Sequence, residues 1–153
     1  EFGDRLRLDN RDGSGGYDIL YVPAYNVGGA EQARDMGNAI WSPDGQTIAM
    51  WYLDGPNDGV YLINTDGTDH RRLDNSQPGD WPRWWSVDGE WIVVVNDDGH
   101  FWGLDVAETS RVPWASLEGM HLYDQRSYPW RVTDKPKCNN DQITTKNCWW
   151  SCK

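Results

Sequence analysis

With 153 residues the chain is long enough for one domain with a buried core, and its 11 Trp and 7 Tyr against 2 Phe, beside 16 Gly and 8 Pro, describe short aromatic strands parted by turns rather than long helices. Its 14 Lys and Arg against 24 Asp and Glu leave a formal charge of −10, which opposes a phosphate backbone or anionic lipid, so nucleic acid is not an expected partner. No apolar run, Trp91-Ile92-Val93-Val94-Val95 among them, approaches the about 18 residues that span a bilayer. No membrane insertion is expected, and no basic start leads into an apolar segment as a secretory signal would.

In chain order, the first predicted strand is Gly3-Asp4-Arg5-Leu6-Arg7-Leu8, and Leu20-Tyr21-Val22 forms the next after an Asp12-Gly13 turn. The run Asp9 to Gly15 lacks the alternating acids and final Glu of a calcium loop, and Gly13-Ser14-Gly15-Gly16 lacks the Lys and helix of a phosphate loop. Both read as strand connections. Four strands follow: Asn38 to Ser42, Thr47 to Tyr52, Gly59 to Asn64, and Arg71-Arg72-Leu73. Pro43-Asp44-Gly45, Asp54-Gly55-Pro56 and Thr65-Asp66-Gly67 separate them, because Gly tolerates positive φ and Asp hydrogen-bonds its own backbone.

This pattern then returns. Ile40-Trp41-Ser42-Pro43-Asp44-Gly45 reappears as Trp84-Trp85-Ser86-Val87-Asp88-Gly89, with Ser86 standing 44 residues beyond Ser42. Val60-Tyr61-Leu62-Ile63 reappears as Phe101-Trp102-Gly103-Leu104, where the offset has shortened to 41. The opening strands form a partial earlier copy, with Gly3 to Leu8 matched to the segment after Gly45. A four-stranded repeat of this length is the signature of a propeller blade. The expected fold class is therefore all-β: blades of four antiparallel strands, about two complete and part of a third, in an incomplete ring. The divisions are a partial blade at 1–37, blades at 38–80 and 81–116, and a non-repeat tail at 117–153.

Trp41-Ser42-Pro43-Asp44-Gly45, Tyr61-Leu62-Ile63-Asn64-Thr65-Asp66-Gly67 and Arg71-Arg72-Leu73, in that order, resemble a blade of the TolB-like family. The resemblance covers roughly residues 3 to 114 and implies blades that serve scaffold proteins, propeller domains of prolyl-oligopeptidase-type enzymes, or some polysaccharide lyases. Val87 in place of the turn proline and Gly103 within a strand depart from the pattern.

Trp41 with Trp85, and Tyr61 with Trp102, share repeat positions, which is what packing between blades requires. Trp81, Trp84, Trp114, Trp130, Trp149 and Trp150 have no counterpart in the other copies. Among them Asp80, Trp81, Arg83 and Trp84 form a candidate sugar-binding cluster, since an aromatic face stacks on a pyranose while neighbouring polar groups take its hydroxyls. The competing reading is that Trp81-Pro82 leads the chain into an inner strand.

No catalytic residue is expected: there is no Gly-x-Ser-x-Gly elbow, and His70, His100 and His121 share no metal-ligand spacing. No metal or cofactor is expected either. Cys138, Cys148 and Cys152 are disulfide candidates in the tail, one necessarily left over, which suits a periplasmic or extracellular protein. Two to three blades cannot close a ring, so a second copy, a longer chain or the tail must cover the open faces, and the segment after Trp114 is available to supply the inner strand that the first copy lacks. The expected function is a non-catalytic protein-binding or scaffolding module whose partner is a protein or a second copy of itself. The alternatives are a glycan-binding, lectin-like propeller and, third, the propeller domain of a lyase or peptidase.

Overall fold

A computed structural model describes residues 3–10, 12, 14–23, 25–27, 30–32, 35–53, 57–123 and 130–134, with the strands inside 25–32 and 130–134 entering by their backbone alone. The chain is all-β and antiparallel. The central sheet runs β5 (Asp35–Trp41), β6 (Thr47–Leu53), β7 (Gly59–Asn64), β8 (Arg71–Arg72) in that order, and the third sheet repeats it with β9 (Trp81–Trp85), β10 (Trp91–Val95), β11 (Phe101–Asp105) and β12 (Arg111–Pro113). The first blade holds β1 (Gly3–Asn10) and β2 (Tyr17–Pro23), followed by a separate hairpin of β3 (Tyr25–Val27) and β4 (Ala30–Gln32). Its inner strand is β13 (Trp130–Asp134), which returns from beyond the third blade and pairs with β1 on the side away from β2. The position missing from the first copy is thus filled from within the same chain.

The turns show why these residues fold this way. Ser42 Oγ donates to Asp44 Oδ1 at 2.6 Å and accepts from the Thr47 amide at 2.9 Å, while Asp44 accepts from the Gln46 amide at 3.0 Å. Ser86, Asp88, Glu90 and Trp91 reproduce every one of these bonds in the third blade. Gly45 and Gly89 adopt φ of +70° and +76°, where a side chain is strained. Serine and aspartate build this turn, so Val87 replaces the proline without loss of its hydrogen bonds. The Ser42 hydroxyl, then the Gln46 amide, hold the Asp44 carboxyl below the usual carboxylate range, and Ser86 and Glu90 do the same for Asp88.

Both faces of the central blade are buried, and strand alternation divides them. Ile48, Met50 and Tyr52 of β6, with Tyr61 and Ile63 of β7, pack on Leu6, Leu8 and Val22 of the first blade. Ala49, Val60 and Leu62 point the other way and pack on Trp85, Ile92, Val94 and Leu104 of the third. Each Val, Leu, Ile or Met among them contributes roughly 1.5–3 kcal/mol on full burial, so these two interfaces hold the blades together. Trp41 and Trp85 are 5% and 2% exposed, as their shared repeat position requires, and the Trp85 indole donates to the Ile40 carbonyl of the neighbouring blade at 3.3 Å.

Two details differ from the sequence expectation. The inner strand β5 begins three residues earlier than predicted, because a bulge between Gly37 and Ile40, with Asn38 at φ +52°, lets pairing continue through Met36 and Asp35. In the first blade Leu6 faces Leu20 as Trp51 faces Val60, and Arg5 faces Tyr21 as Met50 faces Tyr61. The match of Gly3–Leu8 to the segment directly after Gly45 is therefore displaced by two residues. An even displacement leaves the two faces of a strand as they were, so Leu6 points toward the central blade as Trp51 points toward the third.

Candidate interaction face

The four residues singled out at the start of β9 divide between interior and surface. Asp80 is fully buried and holds Arg111 through both carboxylate oxygens, one at 3.0 Å and the other in a shorter contact, while the Gln77 amide donates to it at 2.7 Å. Arg111 in turn lies over the Trp102 ring at 4.7 Å. This carboxylate is committed to joining the entry of the third blade to its outer strand. Trp81 stacks on Trp51 at 4.2 Å, and its indole donates to Asp97 at 3.0 Å. Arg83 is half-buried, and Trp84 is 38% exposed.

Trp84 belongs to a larger surface that sequence reading did not assemble. It lies 5.9 Å from Phe101, which is 42% exposed. These two occupy the repeat positions of Ile40 and Val60, which in the central blade are buried beneath the third. The same face carries Gly103, at the position of Leu62, and a Cβ there would stand 2.2 Å from Leu117 Cδ1. Leu117 follows a 3-10 turn at Trp114–Ser116, and the chain then bridges Leu122 to Ser86 and donates from the Tyr123 amide to the Trp85 carbonyl. Gly103 thus makes room for the chain to fold back over its own last blade. Part of that face is covered, and the aromatic part stays open.

The opposite end of the stack has a different character. On the outer face of the first blade Asp18 bridges Arg5 at 2.7 Å and Arg7 at 3.2 Å, Arg7 also pairs with Asp9 at 2.9 Å, and Arg5 lies 4.7 Å above Tyr21. Hydrogen bonds from Arg5, then Arg7, hold the Asp18 carboxyl below its ordinary range. Where the central blade buries Met50, the first blade places an arginine in an ion-pair ladder. One end face is charged and the other aromatic.

His70 is exposed beside Tyr52 and Tyr61, and His100 and His121 are exposed at separate turns. Among the described residues no three His, Cys, Asp or Glu side chains gather as metal ligands, and no helix is long and apolar enough to cross a membrane. Cys138, Cys148, Cys152, Trp149 and Trp150 lie outside the described residues.

No family model matches the chain. Superposed on TolB from Acinetobacter baumannii, it gives a TM-score of 0.53 at 15% identity, over 72% of this chain and 30% of that one. The fold is propeller-like. This propeller-like chain spans less than a third of the length of the Acinetobacter protein. Two further similar structures, one assigned as TolB from Agrobacterium tumefaciens and one as a 6-phosphogluconolactonase from Bacteroides fragilis, share 12% and 18% identity at TM-scores of 0.35 and 0.37. They align over 74% and 86% of this chain, and over 54% and 42% of their own.

Proposed function

We propose that this chain is a non-catalytic protein-binding or scaffolding module of a propeller, one part of a larger propeller or assembly, working in the periplasm or outside the cell. The observation that carries this reading is the open aromatic pair Trp84 and Phe101, at positions that the preceding blade uses to bind its neighbour. An apolar surface set up for sheet packing and left partly uncovered is a surface for another protein. The partner is a second copy of this chain or a different protein.

The lectin-like alternative draws its support from Trp81 and Trp84, but Asp80 is engaged with Arg111 and Trp81 with Asp97, which leaves few polar groups for sugar hydroxyls. A glycan array with wild type, Trp81→Ala and Trp84→Ala, read beside light scattering, decides between them. The protein-binding reading expects no glycan signal that depends on either tryptophan. A signal lost in either variant overturns it.

A further inference from the structure

Building on the protein-binding reading, we infer that the open half of the third blade's outer face binds a basic, extended polypeptide segment, with Trp84 and Phe101 as its floor and Asp98 and Glu118 as its border.

Space sets the size of the partner. A whole blade stacked on this face would have to occupy the volume above Gly103, and Leu117 is already there. What remains is a strip along Trp84 and Phe101, the footprint of one extended segment rather than of a sheet. The aromatic residues set part of its chemistry. At positions where the central blade carries Ile40 and Val60, this face carries two rings, whose quadrupoles attract cations as aliphatic side chains do not. Among the described residues the pairing occurs in Arg111 over Trp102 and Arg5 over Tyr21.

Charge sets the rest. Asp97 and Asp98 are exposed in the turn that leads into Phe101, and Glu118 is exposed directly after Leu117. Asp97 accepts from the indole of Trp81, whose ring stacks on Trp51 of the central blade, so its carboxylate is committed to that seam. Among the described residues, Arg83 and His100 are the basic side chains that stand against Asp98 and Glu118 in this part of the blade, in a chain of net charge −10. Such a border repels a second copy of the same face and attracts a lysine- or arginine-bearing chain.

The test uses a fluorescein-labelled peptide of alternating Arg and Leu, with an alternating Glu and Leu peptide as its counterpart, read by fluorescence anisotropy. The Arg peptide is expected to bind more weakly as salt rises, the Glu peptide not to bind. Asp98→Asn and Glu118→Gln are each expected to weaken binding by about two- to fivefold, and Phe101→Ser by roughly tenfold. Glu90→Gln removes the same charge at the other end of the strands and leaves affinity unchanged. Phe101 and Trp84 are surface residues, and Trp84→Ser with a thermal midpoint for each variant guards against misfolding. Equal binding of the Glu peptide, an unaltered Phe101→Ser, or a Glu90→Gln as damaging as Asp98→Asn overturns the inference. Absence of peptide binding with self-association that is lost in Phe101→Ser overturns it in favour of a second copy, and leaves the protein-binding reading standing. A glycan signal that depends on Trp84 overturns both.

Discussion

Replacing Asp80 by asparagine removes one charge from a site built for two. The Asp80 side chain is 1% exposed and that of Arg111 14%, so the guanidinium is left in the interior facing an amide that offers a donor where it needs an acceptor. Breaking a buried pair in this way costs about 3–5 kcal/mol. The lower end applies, about 3 kcal/mol, because Arg111 keeps some solvent and its place over Trp102, worth about 1 kcal/mol. With a urea slope of about 1.5 kcal/mol/M for a domain of this size, the midpoint falls by about 2 M. Tryptophan fluorescence follows the unfolding, and a cycle of Asp80→Ala, Arg111→Ala and the double variant isolates the pair, with an expected coupling of about 2 kcal/mol. A midpoint shift under about 0.5 M, or a double variant whose loss equals the sum of the singles, refutes the assignment of Asp80 to a structural pair.

Gly103→Ala is expected to lower the thermal midpoint modestly, because Leu117 must rotate away from the new methyl group, and Leu117→Ala in the same chain recovers most of the loss; strictly additive losses contradict the contact. Stability also depends on pH in two opposing ways. Asp44 and Asp88 have carboxyls held low when folded, so their turns contribute fully above the ordinary carboxylate range and lose that contribution as the pH falls through it, and Ser42→Ala narrows the acid loss in a midpoint-versus-pH series. Asp35 has the reverse sign. Burial raises its carboxyl, so its contribution is present below the ordinary range and lost as pH rises; Asp35→Asn raises the midpoint at neutral pH and leaves it unchanged near pH ~3.

The central and third blades were legible because each carries its own anchor. Trp-Ser-x-Asp-Gly fixes a turn through side-chain hydrogen bonds, and the turn fixes the register of the strands on either side. The segment Gly3–Leu8 has no such anchor ahead of it, and alternation alone does not distinguish a strand from itself moved along by a few residues. β13 was legible only as a need, since its pairing with β1 joins distant parts of the chain. Asp80 was misleading for the same reason. Its neighbours Trp81, Arg83 and Trp84 suggest a local surface cluster, but its partner Arg111 lies a blade's width further along the chain. The Trp84–Phe101 surface was detectable in principle by comparing copies: aromatic residues stand where the previous repeat has Ile40 and Val60, and a glycine stands where it has Leu62.

The pairing of Leu6 with Asp134 and Asn10 with Trp130 also orders events during synthesis. Of the described strands β1 emerges from the ribosome first, yet its inner neighbour is the last of them to be made. The second and third blades have all their strands early and are free to assemble from local hairpins, whereas closing β13 onto β1 carries the entropy of a loop that contains nearly everything else. Throughout that wait β1 has an unpaired edge, the place where nascent chains join one another. Arg5, Arg7 and Asp9 alternate along it, and charged side chains at such an edge discourage strands of other chains from pairing before the right one arrives.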